Sequence, residues 1–68
     1  MKINTSAIEI GLVKNKMDMR DLAEKIGMAT GTISTLMKSG NTSYATAGKI
    51  AEALDINPED LIIKEETK

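Results

Sequence analysis

Apolar residues recur along the chain at spacings of three and four, broken by glycine or short polar runs, and no stretch alternates long enough to compete as a strand. The pattern predicts an all-α domain of five short helices. Ser6-Ala7-Ile8-Glu9 has the spacing of a capping box, so a first helix is expected to run from there to about Lys16, with Ile8, Leu12 and Val13 as apolar positions. Asp18 is placed to cap a second helix whose inward residues are Met19, Leu22, Ala23 and Ile26. Gly27 stops it, because glycine enters the left-handed conformation that closes a helix without steric cost.

A third helix is expected from Ala29 or Thr30, with Ile33, Leu36 and Met37 inward and Thr30, Gly31, Ser34 and Thr35 on the opposite side. Lys38 to Ser43 reads as a polar turn. Ser43 then caps a fourth helix that turns Ala47, Ile50, Ala51 and Leu54 to the core. Asn57-Pro58-Glu59-Asp60 opens a fifth: an Asn cap, a proline at the first helical position and two carboxylates in the electropositive first turn all agree.

Length limits the chain to one domain. Sixty-eight residues cannot enclose two cores, so 1–68 is read as one unit with its core in about 6–63 and a frayed polar tail at 64–68. The apolar complement is aliphatic: nine Ile, seven Ala, five Leu, five Met, one Val, one Tyr, and neither Phe nor Trp. With no cysteine and no histidine, thiolate and imidazole chemistry are excluded, and with them most catalytic and metal-binding classes. Carboxylates remain, but without a partner group beside them they do not define an enzyme, a cofactor site or a small-molecule pocket. The longest apolar run, Leu61-Ile62-Ile63, spans no membrane, and Met1-Lys2-Ile3-Asn4-Thr5-Ser6 is no secretory leader. A cytoplasmic, nucleoid-associated location is expected.

The formal charge of -1 hides an uneven distribution. Residues 1–44 carry six basic and four acidic side chains, whereas 45–68 carry three against six. The excess in the first part favours an anionic partner only weakly, and ordinary solvated helix faces would look the same.

From Met19 to Met37 the chain reads as helix, tight turn, helix. Ala23 is small where the two helices approach, Gly27 makes the corner, and Ile33 with Leu36 locks the pair. Together with Leu22-Ala23-Glu24-Lys25-Ile26-Gly27-Met28, Thr32-Ile33-Ser34, Lys49-Ile50-Ala51-Glu52-Ala53-Leu54 and Asn57-Pro58-Glu59-Asp60-Leu61, this arrangement resembles the Cro/CI-type (XRE-like) helix-turn-helix family over residues 6–63. The resemblance implies a lambda-repressor-like fold and sequence-specific binding of a double-stranded DNA operator. The chain would act as a small Cro-like repressor, its third helix in the major groove. Thr30, Gly31, Thr32 and Thr35 then become the base-reading candidates. Arg20, Lys38, Asn41, Ser43 and Tyr44 become the phosphate-contacting ones.

Three departures from that family pattern bear on the site. Met19 stands where many relatives carry a glutamine that contacts phosphate and braces the recognition helix, so that clamp is expected to be absent. Leu12 and Met37 occupy positions often held by an arginine–glutamate pair, an exchange that packed hydrophobes tolerate. Gly40 falls one residue later than the usual glycine, which changes the loop that follows helix three. Lys14 and Lys16 are candidates either for DNA or for the negative end of the first helix. Ile3, Ile10, Ile62 and Ile63 are left over for a homodimer contact or for a small core. A protein-interaction module on the same fold, antirepressor or antitoxin-like, is the alternative function, favoured by the acidic balance and the uncharged third-helix face.

Overall fold

The computed structural model describes residues 1–63; the tail expected at 64–68 lies outside the described residues. The helices are α1 (Thr5–Lys14), α2 (Met19–Ile26), α3 (Thr30–Ser39), α4 (Tyr44–Leu54) and α5 (Pro58–Leu61). The all-α class read from the sequence is the fold of this protein.

Most boundaries have the expected cause. Asp18 accepts from the Asp21 backbone N–H at 2.8 Å while the Asp21 carboxylate accepts from the Asp18 N–H at 3.1 Å, a reciprocal capping box at the start of α2. Gly27 closes that helix at φ +74°, and the Met28 N–H bonds back to Ala23 O at 2.8 Å. Ser43 Oγ caps α4 through the Thr46 N–H at 3.2 Å, and Asn57 Oδ1 caps α5 through the Glu59 N–H at 3.2 Å.

The first helix corrects the sequence reading at both ends. Its cap is Asn4, whose Oδ1 accepts from the Ala7 N–H at 3.2 Å, so Ser6 lies inside the first turn rather than before it. The helix stops at Lys14 because Lys16 takes a left-handed φ of 56°. Ile8, Gly11 and Leu12 face inward, whereas Val13, one residue or about 100° further round, is 77 % exposed. The third helix also runs on through Ser39, two residues into the segment read as loop, before Gly40 ends it at φ +72°.

Five side chains are essentially sealed from solvent: Ile8, Leu22, Ile33, Ile50 and Leu61. Each comes from a different helix, so the core is a convergence of one large aliphatic residue per element. Full burial of each contributes about 1.5–3 kcal/mol. Alanines at 23, 47, 51 and 53 fill the narrower space where α4 packs on α1, α2 and α5. Among the described residues no charged or polar side chain is buried. The last-turn carbonyls of α4 acquire partners from elsewhere in the chain: Asn15 Nδ2 donates to Leu54 O at 3.1 Å and Lys25 Nζ donates to Ala53 O at 3.2 Å.

A feature outside the helical pattern is the segment before α1. Residues 1–4 lie extended between the α3–α4 connection and the end of α5. Ile3 N donates to Gly40 O at 2.9 Å and Thr42 N to Met1 O at 3.0 Å on one side; Asn4 N donates to Leu61 O at 2.7 Å and Ile63 N to Lys2 O at 3.0 Å on the other. Antiparallel bridges join Lys2 with Asn41 and Ile3 with Ile62. Ile3, set aside in the sequence as a spare residue, is thereby carried into the core at 3 % exposure.

Candidate nucleic-acid interface

The α2–α3 unit turns through Gly27, Met28 and Ala29. Ile33 and Leu36 anchor α3 from beneath, and the 3.6-residue period then places Thr30, Gly31, Thr32 and Thr35 on the exposed side. Ala29 caps α3 without a side-chain hydrogen bond, so its first-turn N–H groups receive no help from the capping side chain.

Gly31, Thr32, Thr35 and, one turn further along α3, Ser39 line an open groove of roughly 670 Å³ together with Asn41 and Thr42 of the following connection and Thr46 of α4. Three of the four base-reading candidates and one phosphate candidate are therefore brought together. Thr30 stands outside the lining, at the first position of α3. Arg20 is exposed in the first turn of α2, Lys38 in the last turn of α3, and Ser43 and Tyr44 sit at the start of α4, where the phenol is 80 % exposed. None of these four lines the groove itself.

The hydroxyl bookkeeping around the groove is specific. Thr35 Oγ1 donates to Gly31 O at 2.9 Å, one turn earlier in the same helix. Ser43 Oγ donates to Thr46 Oγ1 at 3.0 Å while accepting from the Thr46 N–H. Its single proton is thus engaged in the cap. Asn41 Nδ2 donates to Ser39 O at 3.1 Å, folding that side chain back on the end of α3.

Thr46 was not singled out in the sequence, yet it completes the groove wall. The signal was available in the Ser43-x-x-Thr46 spacing, since a residue three after a cap lies beside it in space. Met19 corrects a second expectation. It lacks the amide of a glutamine, but it packs half-buried against the core, and the Ser34 hydroxyl stands 4.0 Å from its sulfur. A polarizable thioether therefore contacts α3 from α2 after all, and Ser34 is half-buried rather than on the open face. Leu12 is buried and Met37 packs on the core, the apolar exchange expected of that pair.

Near the start of α2, hydrogen bonding from the Asp21 backbone N–H holds the Asp18 carboxyl below its usual value; desolvation opposes this, and the hydrogen bond with the Asp21 side chain and the Arg20 charge add smaller lowering contributions. The threonine face itself carries no charge. Among the described residues no group of acidic side chains is arranged to hold a metal ion, and no helix is long and apolar enough to cross a membrane.

A short helix closed by a left-handed glycine, a second helix locked across it with a polar outer face, and cationic side chains at the flanks define a helix-turn-helix DNA-binding domain. The match to the Cro/C1-type HTH DNA-binding domain extends over residues 8–66, and the chain belongs to that family. No curated protein and no solved structure matches it.

Proposed function

We propose that this domain is a sequence-specific reader of duplex DNA that acts as a small Cro-like repressor, occupying an operator and so obstructing transcription. The observation that carries the reading is the exposed Thr30, Gly31, Thr32 and Thr35 face on a helix anchored by Ile33 and Leu36. Each threonine offers a hydroxyl and a methyl to base edges, a more modest readout than a bidentate arginine on guanine. Sequence-dependent DNA shape carries the remainder. Gly31 leaves the α3 backbone bare on this face, with open space where its β-carbon would be, so a base edge can approach it closely. Arg20 and Lys38 neutralise phosphate; Tyr44, the second Nδ2 hydrogen of Asn41 and, since its hydroxyl proton is held by Thr46, the backbone N–H of Ser43 supply neutral contacts that fix orientation.

The reading extends to a two-fold homodimer on a site with two related halves. Ile10, 60 % exposed, and Ile63, 44 % exposed, support it as apolar side chains left without cover. The alternative, a protein-docking module on the same fold, is favoured by the uncharged α3 face and the overall charge of -1.

Selection from a random duplex library at two salt concentrations separates the two. Enrichment of paired half-sites about one helical turn apart, with affinity falling steeply as salt rises, is the expected result. Absence of enrichment at low salt overturns DNA reading and leaves the docking module.

A further inference from the structure

Resting on that DNA-reading proposal, we infer that Thr35 recognises an exocyclic amino group, N6 of adenine or N4 of cytosine, and discriminates against the keto oxygens of guanine and thymine. A threonine hydroxyl holds one proton and two lone pairs. In this helix the proton is already assigned: Thr35 Oγ1 donates to Gly31 O at 2.9 Å, and a carbonyl oxygen can only accept. What Thr35 presents outward is therefore an acceptor.

In the major groove the donors on base edges are the amino groups of adenine and cytosine, whereas guanine O6, thymine O4 and the purine N7 atoms all accept. An outward acceptor fits the first set and is repelled by the second. Reading a keto oxygen would require the hydroxyl to rotate and give up its bond to Gly31. The approach is open, because Gly31 and Thr35 share one face at i and i+4, and apart from the adjoining residues and the helix's own backbone nothing lies within 4 Å of the position a Gly31 β-carbon would take. The same carbonyl that fixes the proton thus belongs to the residue that clears the path.

Because an amino base on one strand faces a keto base on the other, a consensus sequence alone does not identify the group read. The test is a cycle of single-atom changes in the duplex selected by the wild-type protein. At each position, adenine is replaced by purine and cytosine by 2-pyrimidinone, deleting the amino group; guanine is replaced by 2-aminopurine and thymine by 5-methyl-2-pyrimidinone, deleting the keto oxygen. Wild type, Thr35→Val and Thr35→Ser are compared.

Expected is one position where deleting the amino group weakens wild-type and Thr35→Ser binding about fivefold, the size of one neutral hydrogen bond, and leaves Thr35→Val unaffected. Coupling of the Thr35 hydroxyl to a deleted keto oxygen overturns the inference. So does coupling to no position while DNA is still bound with a steep salt dependence. If no duplex is bound by the wild type at low salt, DNA reading itself fails, and the inference falls with it by a separate route. Thermal melting of Thr35→Val, whose side chain is exposed, verifies that the fold is intact.

Discussion

Gly11 and Leu54 meet where α1 crosses the end of α4: a β-carbon on Gly11 would stand 3.1 Å from Leu54 Cβ and 3.0 Å from Ile56 Cδ1. The tip of Ile56 could swing aside, but Leu54 Cβ is fixed to the α4 backbone. Gly11→Ala is expected to destabilise the domain by about 1–3 kcal/mol through overpacking, against the gain an alanine normally brings to a helix. Gly48 is the control. It lies exposed inside α4 with nothing within 4 Å of its virtual β-carbon, and Gly48→Ala should stabilise by about 1 kcal/mol. Urea unfolding of the two variants should move the midpoint in opposite directions.

Gly31 separates stability from binding. Alanine there meets no neighbour and improves the first turn of α3, so Gly31→Ala should gain about 0.5–1 kcal/mol. The added methyl group stands on the face proposed to approach base edges, so affinity for the selected duplex should fall. A variant that melts higher and binds as well as wild type would remove Gly31 from the interface.

Asp55 closes α4 in the left-handed region at φ 57°, and Ile56 N bonds to Ala51 O at 2.8 Å in the pattern usually completed by glycine. Its carboxylate also sits at the negative end of the helix. Asp55→Gly is expected to raise stability by about 1 kcal/mol, read as a higher thermal midpoint.

The α2 capping box gives a pH dependence with a defined sign. Asp18 is held below its unfolded value chiefly by the Asp21 N–H. A group depressed on folding contributes stability that is present above the unfolded carboxylate pKa, about 3.9, and lost as pH falls through the lower folded value. Asn preserves a capping oxygen but does not titrate. The difference in thermal midpoint between wild type and Asp18→Asn should therefore shrink as pH falls from about 5 to about 2. A difference constant over that range would detach the cap from the charge of Asp18.

What was legible in the sequence is what depends on side-chain type at fixed spacing. The Asp18 cap, Gly27, the Ser43 and Asn57-Pro58 starts, and the Leu22, Ile33, Ile50 and Leu54 core positions all follow from local chemistry. The outward face of α3 was legible for the same reason, since burying Ile33 and Leu36 leaves Thr35 no other direction. Pairing of residues 1–4 was not, because the ladder is made by backbone groups that every residue carries. For Ile3 the sequence therefore left a homodimer contact and a place in the core equally open. Nor could spacing show that the Thr35 proton goes to Gly31 O, or that Asn15, at the end of α1, reaches Leu54 O: both are settled by rotamers within the folded molecule.

The extended segment at residues 1–4 has a consequence for how the domain opens. Short helices ordinarily fray from their termini inward, each losing its last turn independently. Here the stretch ahead of α1 is clasped on one side by the connection leaving the recognition helix and on the other by the residues leaving α5. Peeling away either flank exposes Ile3 to water and releases the other. The amides of Ile3, Asn4 and Thr42 should consequently exchange with solvent as one cooperative unit, because the trailing end of α3 is tied through Gly40 O to a segment remote from it in sequence.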